Sequence, residues 1–314
     1  MGSFADPIVR TCFPRTTLST AVPSMRLLII GQTFTHSASE AVLRAAFETT
    51  GQQVEIERWE RKPHQLADAL EQLRAPDVLG ALIAAPHKER ASGLVNALSE
   101  DAKLTGAVNL VVRDGARLRG HNTDLDGVRA GLAALLPKVA GRWPRQAVVL
   151  GAGGGARAVV AVLISSGFQR IAVFNRHLHR AEALVADFAR HARHMELRAQ
   201  PWHETFIGSE LAKARLLVNA SGIGGEADEM PIPAELLPAD LYLLDLVLHA
   251  ENTPLMGEVR AREGTVANGQ AAFLAGTSVT YRLLIGQEAP ADAMRAALSA
   301  ELGAPEEGAA VVGD

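Results

Sequence analysis

The chain has 314 residues, of which 48% are hydrophobic and 21% charged, with a formal net charge of −4. This balance argues against nucleic acid or an anionic membrane as the main partner, and the length allows roughly two domains with buried cores. The single cysteine, Cys12, excludes a disulfide framework and fits a reducing cytoplasm, and no apolar run approaches the ~20 residues that span a bilayer.

Both ends of the chain differ in composition from the rest. Residues 1–24 contain Ser, Thr and Pro but not the apolar stretch of a secretory signal. We therefore expect residues 1–24 to form a flexible extension, with the fold beginning near Met25. We expect residues 304–314 to form a flexible tail.

In the first half, apolar stretches of strand length alternate with helical patterns. We predict strands at residues 26–30, 54–58, 78–83 and 107–112, and helices at 38–50, 64–74 and 88–98. A hairpin is predicted at Asp114-Gly115, a strong turn dipeptide. This alternation indicates an α/β unit with a mostly parallel sheet.

A polar segment lies between the first predicted strand and the first predicted helix. Ser37 and Glu40 have the spacing of a capping box, which by itself predicts only a well-capped helix. Hydroxyls at a helix N-terminus can also bind a carboxylate, and Ser37 and Ser39 are the candidates. The two roles are compatible, because one hydroxyl can cap the helix and contact a ligand.

Two charged residues of this half could carry chemistry. Lys88 lies just past the carboxyl end of the strand at 78–83, where α/β sheets place their functional groups. Taken singly, Lys88 is most simply a surface lysine and Asp124 most simply a helix N-cap. A lysine beside an aspartate could instead give a proton to a carbonyl oxygen as hydride arrives. From the residues alone, both interpretations stay open.

The second half begins with a dinucleotide fingerprint in its required context. An apolar strand at 146–150 runs into Gly151 and Gly153, and then into Ala156 and a helical sequence. Gly151 allows a tight turn, Gly153 lets the backbone approach a pyrophosphate, and Ala156 lets the helix pack closely on the strand. The pattern predicts a Rossmann-type domain.

The next predicted strand, near 170–174, indicates which dinucleotide is bound. NAD enzymes usually place a carboxylate at its end to hold the ribose hydroxyls. Here the chain has Asn175 and Arg176, with Arg180 shortly after. Two arginines and no carboxylate favour the 2′-phosphate of NADP, with NAD as the alternative cofactor.

The remaining sequence continues the alternation. We predict strands near 195–199, 215–219 and 241–247, and closing helices at 269–285 and 288–301. The fold class is therefore α/β, with two α/β domains of which the second is doubly wound.

The motifs, taken together and in this order, resemble those of the shikimate and quinate dehydrogenases. The resemblance covers about residues 25–300. The matching pieces are His36-Ser37-x-Ser39, Pro86-x-Lys88-Glu89, Gly106-Ala-Val-Asn109, Asn122-Thr-Asp124, Gly151-Ala-Gly-Gly, Asn175-Arg176, Asn219-Ala-Ser221 and Thr253-Pro-Leu255.

The resemblance implies two domains with the active site in the cleft between them. Residues 25–124 plus 268–303 would form the substrate-binding domain, with the C-terminal helices returning to it, and 125–267 the Rossmann NADP domain. Ser37 and Ser39 would hold a substrate carboxylate, and Asn109 would bind its hydroxyls. The cofactor would be held by Gly151, Gly153, Gly154, Ala156, Asn175, Arg176, Arg180, Asn219 and Ser221.

The implied reaction is reversible hydride transfer between NADPH and a ring ketone, such as 3-dehydroshikimate going to shikimate. Lys88 would handle the proton at the substrate oxygen, and Asp124 would orient the lysine. The implied protein is a cytoplasmic enzyme of aromatic amino acid biosynthesis, a monomer or homodimer. Its partner would be a small cyclic carboxylate, without nucleic acid, membrane or metal.

The chain also departs from the family pattern. Leu82 and Ala84 replace an Asn and a Thr, Leu248 replaces a Tyr, and Gly276 aligns less securely with a Gln. Losing several hydrogen-bonding partners should weaken binding of a polyol ring. We therefore expect a less hydroxylated or otherwise altered cyclic substrate. The alternative is a catalytically weak NADP(H)-binding sensor or regulatory protein.

Overall fold

The computed structural model describes residues 25–32, 38–135, 145–225, 229–250 and 252–303. The predicted extension 1–24 and tail 304–314 lie outside these residues. Within them, twelve strands form two six-stranded sheets. The strands are β1 Met25–Gly31, β2 Val54–Glu60, β3 Val78–Ile83, β4 Ala97–Leu98, β5 Leu110–Asp114, β6 Arg117–His121, β7 Gln146–Leu150, β8 Arg170–Asn175, β9 Glu196–Pro201, β10 Leu216–Asn219, β11 Tyr242–Asp245 and β12 Thr265–Ala267.

Eleven α-helices connect and cover these strands in the described part of the chain. They are α1 Ala38–Thr49, α2 Leu66–Glu71, α3 Lys88–Ser92, α4 Glu100–Thr105, α5 Asp124–Leu135, α6 Gly154–Ser165, α7 Leu178–Phe188, α8 Glu204–Leu211, α9 Pro254–Ala261, α10 Gly269–Ile285 and α11 Ala291–Gly303.

The first sheet is mixed, in the order β2-β1-β3-β5-β6-β4. Strands β2, β1 and β3 are parallel, whereas β5 runs antiparallel to both β3 and β6. Consecutive residues of β1 are buried, from Leu27 to Ile30, because helices cover both faces of the sheet. The predicted hairpin forms between β5 and β6 around Gly115, whose φ is +60°.

Two predictions in this half are wrong. The helix predicted over 88–98 ends at Ser92, and residues 97–98 pair with β6 instead. The strand predicted from residue 107 begins at Leu110, because the backbone N–H of Val108 is bonded to the carbonyl of Lys88. In both cases, hydrogen bonds to a segment distant in the sequence determine the local structure.

The second sheet is fully parallel, in the order β12-β11-β10-β7-β8-β9. The direction of winding reverses between β7 and β10, so the loops that follow these two strands diverge. In doubly wound sheets the crevice at this point, outside the carboxyl ends of the strands, is the ligand site. Helix α6 is buried along most of its length behind it, which explains its nearly continuous apolar sequence.

The last two helices return to the first sheet. Helix α10 packs along α5, where a Cβ on Gly127 would lie 2.4 Å from the carbonyl oxygen of Ala272. Helix α11 packs on α1, and the hydroxyl of Tyr281 on α10 bonds that of Thr50 at 2.7 Å. The two-domain α/β fold with returning C-terminal helices is thereby confirmed. The domain boundaries at 124/125 and 267/268 stay predictions.

Candidate active site

The structure brings Lys88 and Asp124 together. Lys88 is the first residue of α3, just after β3, and Asp124 is the first residue of α5, just after β6. The Lys88 Nζ atom donates to Asp124 Oδ2 at 2.6 Å, and about a quarter of each side chain is exposed. The pair therefore lies at the edge of a cleft, where both groups can reach a bound ligand.

Asn109 fixes the orientation of this pair. Its Nδ2 atom donates to Asp124 Oδ1 at 2.8 Å and to Thr123 Oγ1 at 3.0 Å. Its Oδ1 atom accepts from the backbone N–H of Thr123 at 2.8 Å. Both amide hydrogens of Asn109 are thus bonded within the protein, so this side chain has only acceptor capacity left for a ligand. Its predicted contact with substrate hydroxyls stays a prediction.

The stem of Lys88 lies directly on the glycine turn that follows β7. A Cβ built on Gly154 would lie 2.7 Å from Lys88 Cδ and 3.3 Å from Lys88 Cβ. The lysine stem can lie this close to the turn only because residue 154 has no side chain. The Lys88–Asp124 pair of the first domain and the glycine turn of the second domain therefore lie side by side in one candidate site.

The glycine turn itself fits a pyrophosphate. Gly151 has φ +109°, and a Cβ there would lie 2.4 Å from the carbonyl oxygen of Ala220. Gly153 is the N-cap of α6 and has open space where a side chain would stand, while Ala156 is fully buried. Free N–H groups in the first turn of α6 therefore face an unobstructed space, as a dinucleotide phosphate requires.

The predicted 2′-phosphate residues follow β8. Arg176 and Arg180 are exposed, and Asn175 Nδ2 donates to the carbonyl of His177 at 3.0 Å. Arg180 lies 3.9 Å from Glu89, which belongs to the first domain. The two guanidinium groups are accessible to an anion at the N-terminus of α7, where the helix dipole also favours negative charge.

Asn219 and Ser221 take part in a buried network rather than facing open space. Asn219 is fully buried; its Nδ2 donates to Asp245 Oδ1 at 3.0 Å, and its Oδ1 accepts from Ser221 Oγ at 2.7 Å. Asp245 Oδ2 also accepts from Thr253 Oγ1 at 2.6 Å. Burial raises the pKa of Asp245 above its ordinary value, against the opposing effect of these hydrogen bonds. The Asn219 side chain shapes the turn after β10 and gives no support to its predicted direct contact with the cofactor.

A cavity of about 620 Å³ lies between the two domains and contains the Lys88–Asp124 pair. One part of its lining is polar and the other apolar. The polar part comprises Ser39, Lys88, Asn109, Thr123, Asp124, Thr277 and Thr280, and the apolar part includes Leu82, Ala84, Leu246, Leu248, Ala272 and Phe273. Ser37, the other predicted carboxylate ligand, lies outside the described residues.

Sequence reasoning missed three of the cavity's hydroxyls, those of Thr123, Thr277 and Thr280. Thr123 and Thr280 lie 2.9 Å apart, oxygen to oxygen, and join the segment before α5 to α10. Thr123 is the middle residue of the Asn-Thr-Asp motif, which was the available signal, whereas nothing in the local sequence of α10 distinguishes Thr280. Gly276 also lines the cavity. It packs against the backbone of Thr123, since a Cβ there would lie 2.8 Å from the carbonyl oxygen of that residue.

Across the part of the chain that the structure describes, no three His, Cys, Asp or Glu side chains are grouped to hold a metal ion. Within the same residues, no helix combines the length and apolar character needed to span a membrane.

A doubly wound domain whose glycine turn adjoins a Lys–Asp pair from a second domain defines a two-domain, dinucleotide-dependent oxidoreductase.

Comparison with known proteins identifies the family. Residues 29–111 match the family described as the shikimate dehydrogenase substrate binding domain, and residues 136–203 match shikimate / quinate 5-dehydrogenase. A shikimate dehydrogenase (NADP(+)) of Symbiobacterium thermophilum is 37% identical over 288 residues, which cover 90% of this chain and 97% of the relative. The chain belongs to the shikimate dehydrogenase family.

Solved structures agree with this assignment. Shikimate 5-dehydrogenase of Thermus thermophilus, solved in complex with NADP(H) and shikimate, superposes with a TM-score of 0.74 at 31% identity, covering 88% of this chain and all of that one. Quinate dehydrogenase of Corynebacterium glutamicum, in complex with NAD, gives a TM-score of 0.73 at 27% identity over 87% of this chain and 98% of that one.

Proposed function

We propose that this protein catalyses reversible hydride transfer between NADP(H) and a ring hydroxyl or ketone of a cyclic carboxylate. It is an NADP-dependent oxidoreductase of the shikimate dehydrogenase type, acting on CH–OH groups. The observation that carries the proposal is the 2.6 Å contact of Lys88 with Asp124, made where the lysine stem touches Gly154 of the glycine turn.

When bound, the nicotinamide supplies or receives the hydride at the ring carbon. In the direction of reduction, the Lys88 ammonium gives a proton to the oxygen of the ketone as that oxygen gains negative charge. The Asp124 carboxylate holds the ammonium in place through its 2.6 Å contact, and Asn109 holds the carboxylate. In oxidation, Lys88 receives the proton that the substrate hydroxyl releases.

The cofactor's phosphates would be held by the second domain. The turn at Gly151, Gly153 and Gly154, with the first turn of α6, would bind the pyrophosphate. Arg176 and Arg180 would bind the 2′-phosphate through charge-assisted hydrogen bonds, which are stronger than neutral ones. A relative solved with NAD shows that related proteins also bind the other dinucleotide, so we propose NADP as the main cofactor rather than the exclusive one.

The substrate carboxylate would lie near the N-terminus of α1. Ser39 lines the cavity there, and the helix dipole supports an anion at this end. We propose Ser39 together with Ser37 as the carboxylate ligands. Placing the carboxylate at this end directs the ring towards the Lys88–Asp124 pair, since all three residues line the same cavity.

We further propose that the preferred ring carries fewer hydroxyls than shikimate. Leu82, Ala84 and Leu248, the replacements expected to remove hydrogen bonds, all line the cavity. A ring hydroxyl that faces these side chains loses its water without gaining a partner. Each unmade hydrogen bond costs about 1 kcal/mol, so several together could lower kcat/KM about 100-fold.

A substrate panel tests both parts of this proposal. NADPH oxidation or NADP+ reduction would be followed with shikimate, quinate, and an analogue that keeps the carboxylate and the reacting hydroxyl but lacks the other ring hydroxyls. We expect the analogue to have the highest kcat/KM. A kcat/KM for shikimate above about 10⁴ M⁻¹s⁻¹, and above that of the analogue, would contradict altered specificity but leave the enzyme class intact.

A matched pair of variants makes the specificity test sharper. Leu82→Asn returns a hydrogen-bonding side chain to the wall, and Leu82→Ala removes the same bulk without offering one. We expect Leu82→Asn, but not Leu82→Ala, to raise kcat/KM for shikimate relative to the analogue. Binding of NADPH without turnover of any ring carboxylate would favour the sensor alternative instead.

A further inference from the structure

Arg157 connects the two domains from inside the protein. It lies on α6, one residue beyond Ala156 of the fingerprint, and its side chain is buried. Its Nε atom donates to the backbone carbonyl of Thr105, in the first domain, at 2.8 Å. Its Nη2 atom pairs with Asp187 on α7. One guanidinium thus holds the helix behind the cofactor turn to the end of α4.

The segment that Arg157 contacts leads directly to the reactive pair. Three residues beyond Thr105, the backbone N–H of Val108 donates to the carbonyl of Lys88 at 2.8 Å. The next residue, Asn109, donates to Asp124 at 2.8 Å. Residues 105–109 therefore hold both members of the pair, one through the backbone and the other through a side chain.

This segment is packed too tightly to absorb a displacement locally. Thr105 is buried, and its hydroxyl accepts from Asn122 at 3.0 Å. Gly106 has φ +62°, and a Cβ there would lie 3.2 Å from Arg157 Nη2. The glycine gives the guanidinium the space that it occupies. Movement of the arginine would therefore be transmitted along the segment to Asn109.

We propose that Arg157 is a positioning residue that sets the distance between the cofactor turn and the Lys88–Asp124 pair. This inference rests on the proposed hydride-transfer function. Arg157 touches no reacting atom; it acts through residues 105–109. Hydride transfer depends steeply on the separation of donor and acceptor, and misplacement by about 1 Å can cost on the order of 100-fold in rate.

Three variants separate positioning from simple stability. Arg157→Met keeps most of the stem and removes every donor, so the Thr105 carbonyl loses the hydrogen bond from Nε and Asp187, which is more than half exposed, loses its ion pair. Arg157→Lys keeps one cation that can reach a single acceptor. Arg170→Met is the control. It removes the 2.8 Å hydrogen bond from Arg170 Nε to Glu196 Oε2, which lies in the same domain at the start of β8, away from Asn175 at the end of that strand.

The measurements are kcat, KM for both substrates, NADPH affinity by fluorescence, and the primary isotope effect with deuterated NADPH. We expect Arg157→Met to lower kcat about 10- to 100-fold with NADPH affinity changed less than about threefold, and to raise the isotope effect. Arg157→Lys should fall between Arg157→Met and the wild type. Arg170→Met should keep kcat within about twofold.

Several results would overturn the inference. One is a folded Arg157→Met variant with wild-type kcat, and another is an equal loss of kcat in Arg170→Met. If Arg157→Met does not fold, Arg157→Lys carries the test, and a wild-type kcat and isotope effect in that variant would be decisive against the inference. Failure of the wild type to turn over any ring carboxylate would refute the proposed function instead, and the two failures are therefore distinguishable.

Discussion

Gly154→Ala should impair catalysis by displacing Lys88. The added methyl would lie 2.7 Å from Lys88 Cδ and 3.3 Å from Lys88 Cβ, whereas carbon atoms in contact are normally about 3.5–4.0 Å apart. The lysine stem must therefore withdraw by about 1 Å. Its backbone is held in α3, so the shift falls on the stem and moves Nζ away from Asp124.

A displacement of this size should lower kcat about 10- to 100-fold. Stability should change little, because the preference for alanine over glycine, at most about 1 kcal/mol in a helix, offsets part of the cost of moving the Lys88 stem. Steady-state assays with a ring carboxylate, together with a thermal melt, measure both effects. The expected signature is a poor enzyme whose stability is close to that of the wild type.

Gly257→Ala provides the control for this experiment. It places the same methyl on an exposed position of α9 in the same domain, where no other atom lies within 4 Å. We expect its kcat to remain within about twofold of the wild type. If Gly154→Ala also keeps a wild-type kcat, Lys88 does not depend on the glycine turn for its position, and the account of the site as one unit across two domains is refuted.

Three other perturbations have definite expected outcomes. Arg176→Ser should reduce the preference for NADP over NAD about 10- to 100-fold, because it removes one charge-assisted hydrogen bond. If the ratio of kcat/KM with NADP to kcat/KM with NAD is the same in the variant and the wild type, Arg176 does not bind the 2′-phosphate. Asn109→Ala should lower kcat more than it raises KM, because it releases the Asp124 carboxylate; an effect confined to KM would indicate direct substrate binding instead. Burial raises the pKa of Asp245, so its contribution to stability is fully present in acid and is lost as pH rises through the folded-state pKa. In urea titrations, the stability of the wild type relative to Asp245→Asn should therefore decline as the pH rises above about 4, the ordinary pKa of an aspartate, and a difference that increases with pH would contradict this.

The parts of the fold that sequence could predict are those set by local geometry. The fingerprint after β7 needs glycine at position 151 because of its positive φ and the nearby Ala220 carbonyl, so three residues at fixed spacing were enough to predict it. Buried strands such as β7 were clear because both faces of a parallel sheet are covered. By contrast, β4 exists only because β6 lies beside it, and residues 97–98 carry no signal of their own.

The site shows the same limit. Lys88 and Asp124 are 36 residues apart, and their residue types alone could not decide whether the two side chains contact each other. The family motifs supplied that contact. They did not reveal that both amide hydrogens of Asn109 are used within the protein, or that Asn219 is buried. These facts depend on partners brought in by other elements, as does the reach of Arg157 into the first domain.

The most direct test of the central claim is Lys88→Met. The substitution keeps the apolar stem that lies on Gly154 and removes the ammonium. We expect kcat to fall about 100- to 10,000-fold, the range for losing a general acid, while NADPH binds with nearly wild-type affinity. A Lys88→Met enzyme that reduces its ring ketone at the wild-type rate would show that the proton comes from elsewhere and would contradict the mechanism.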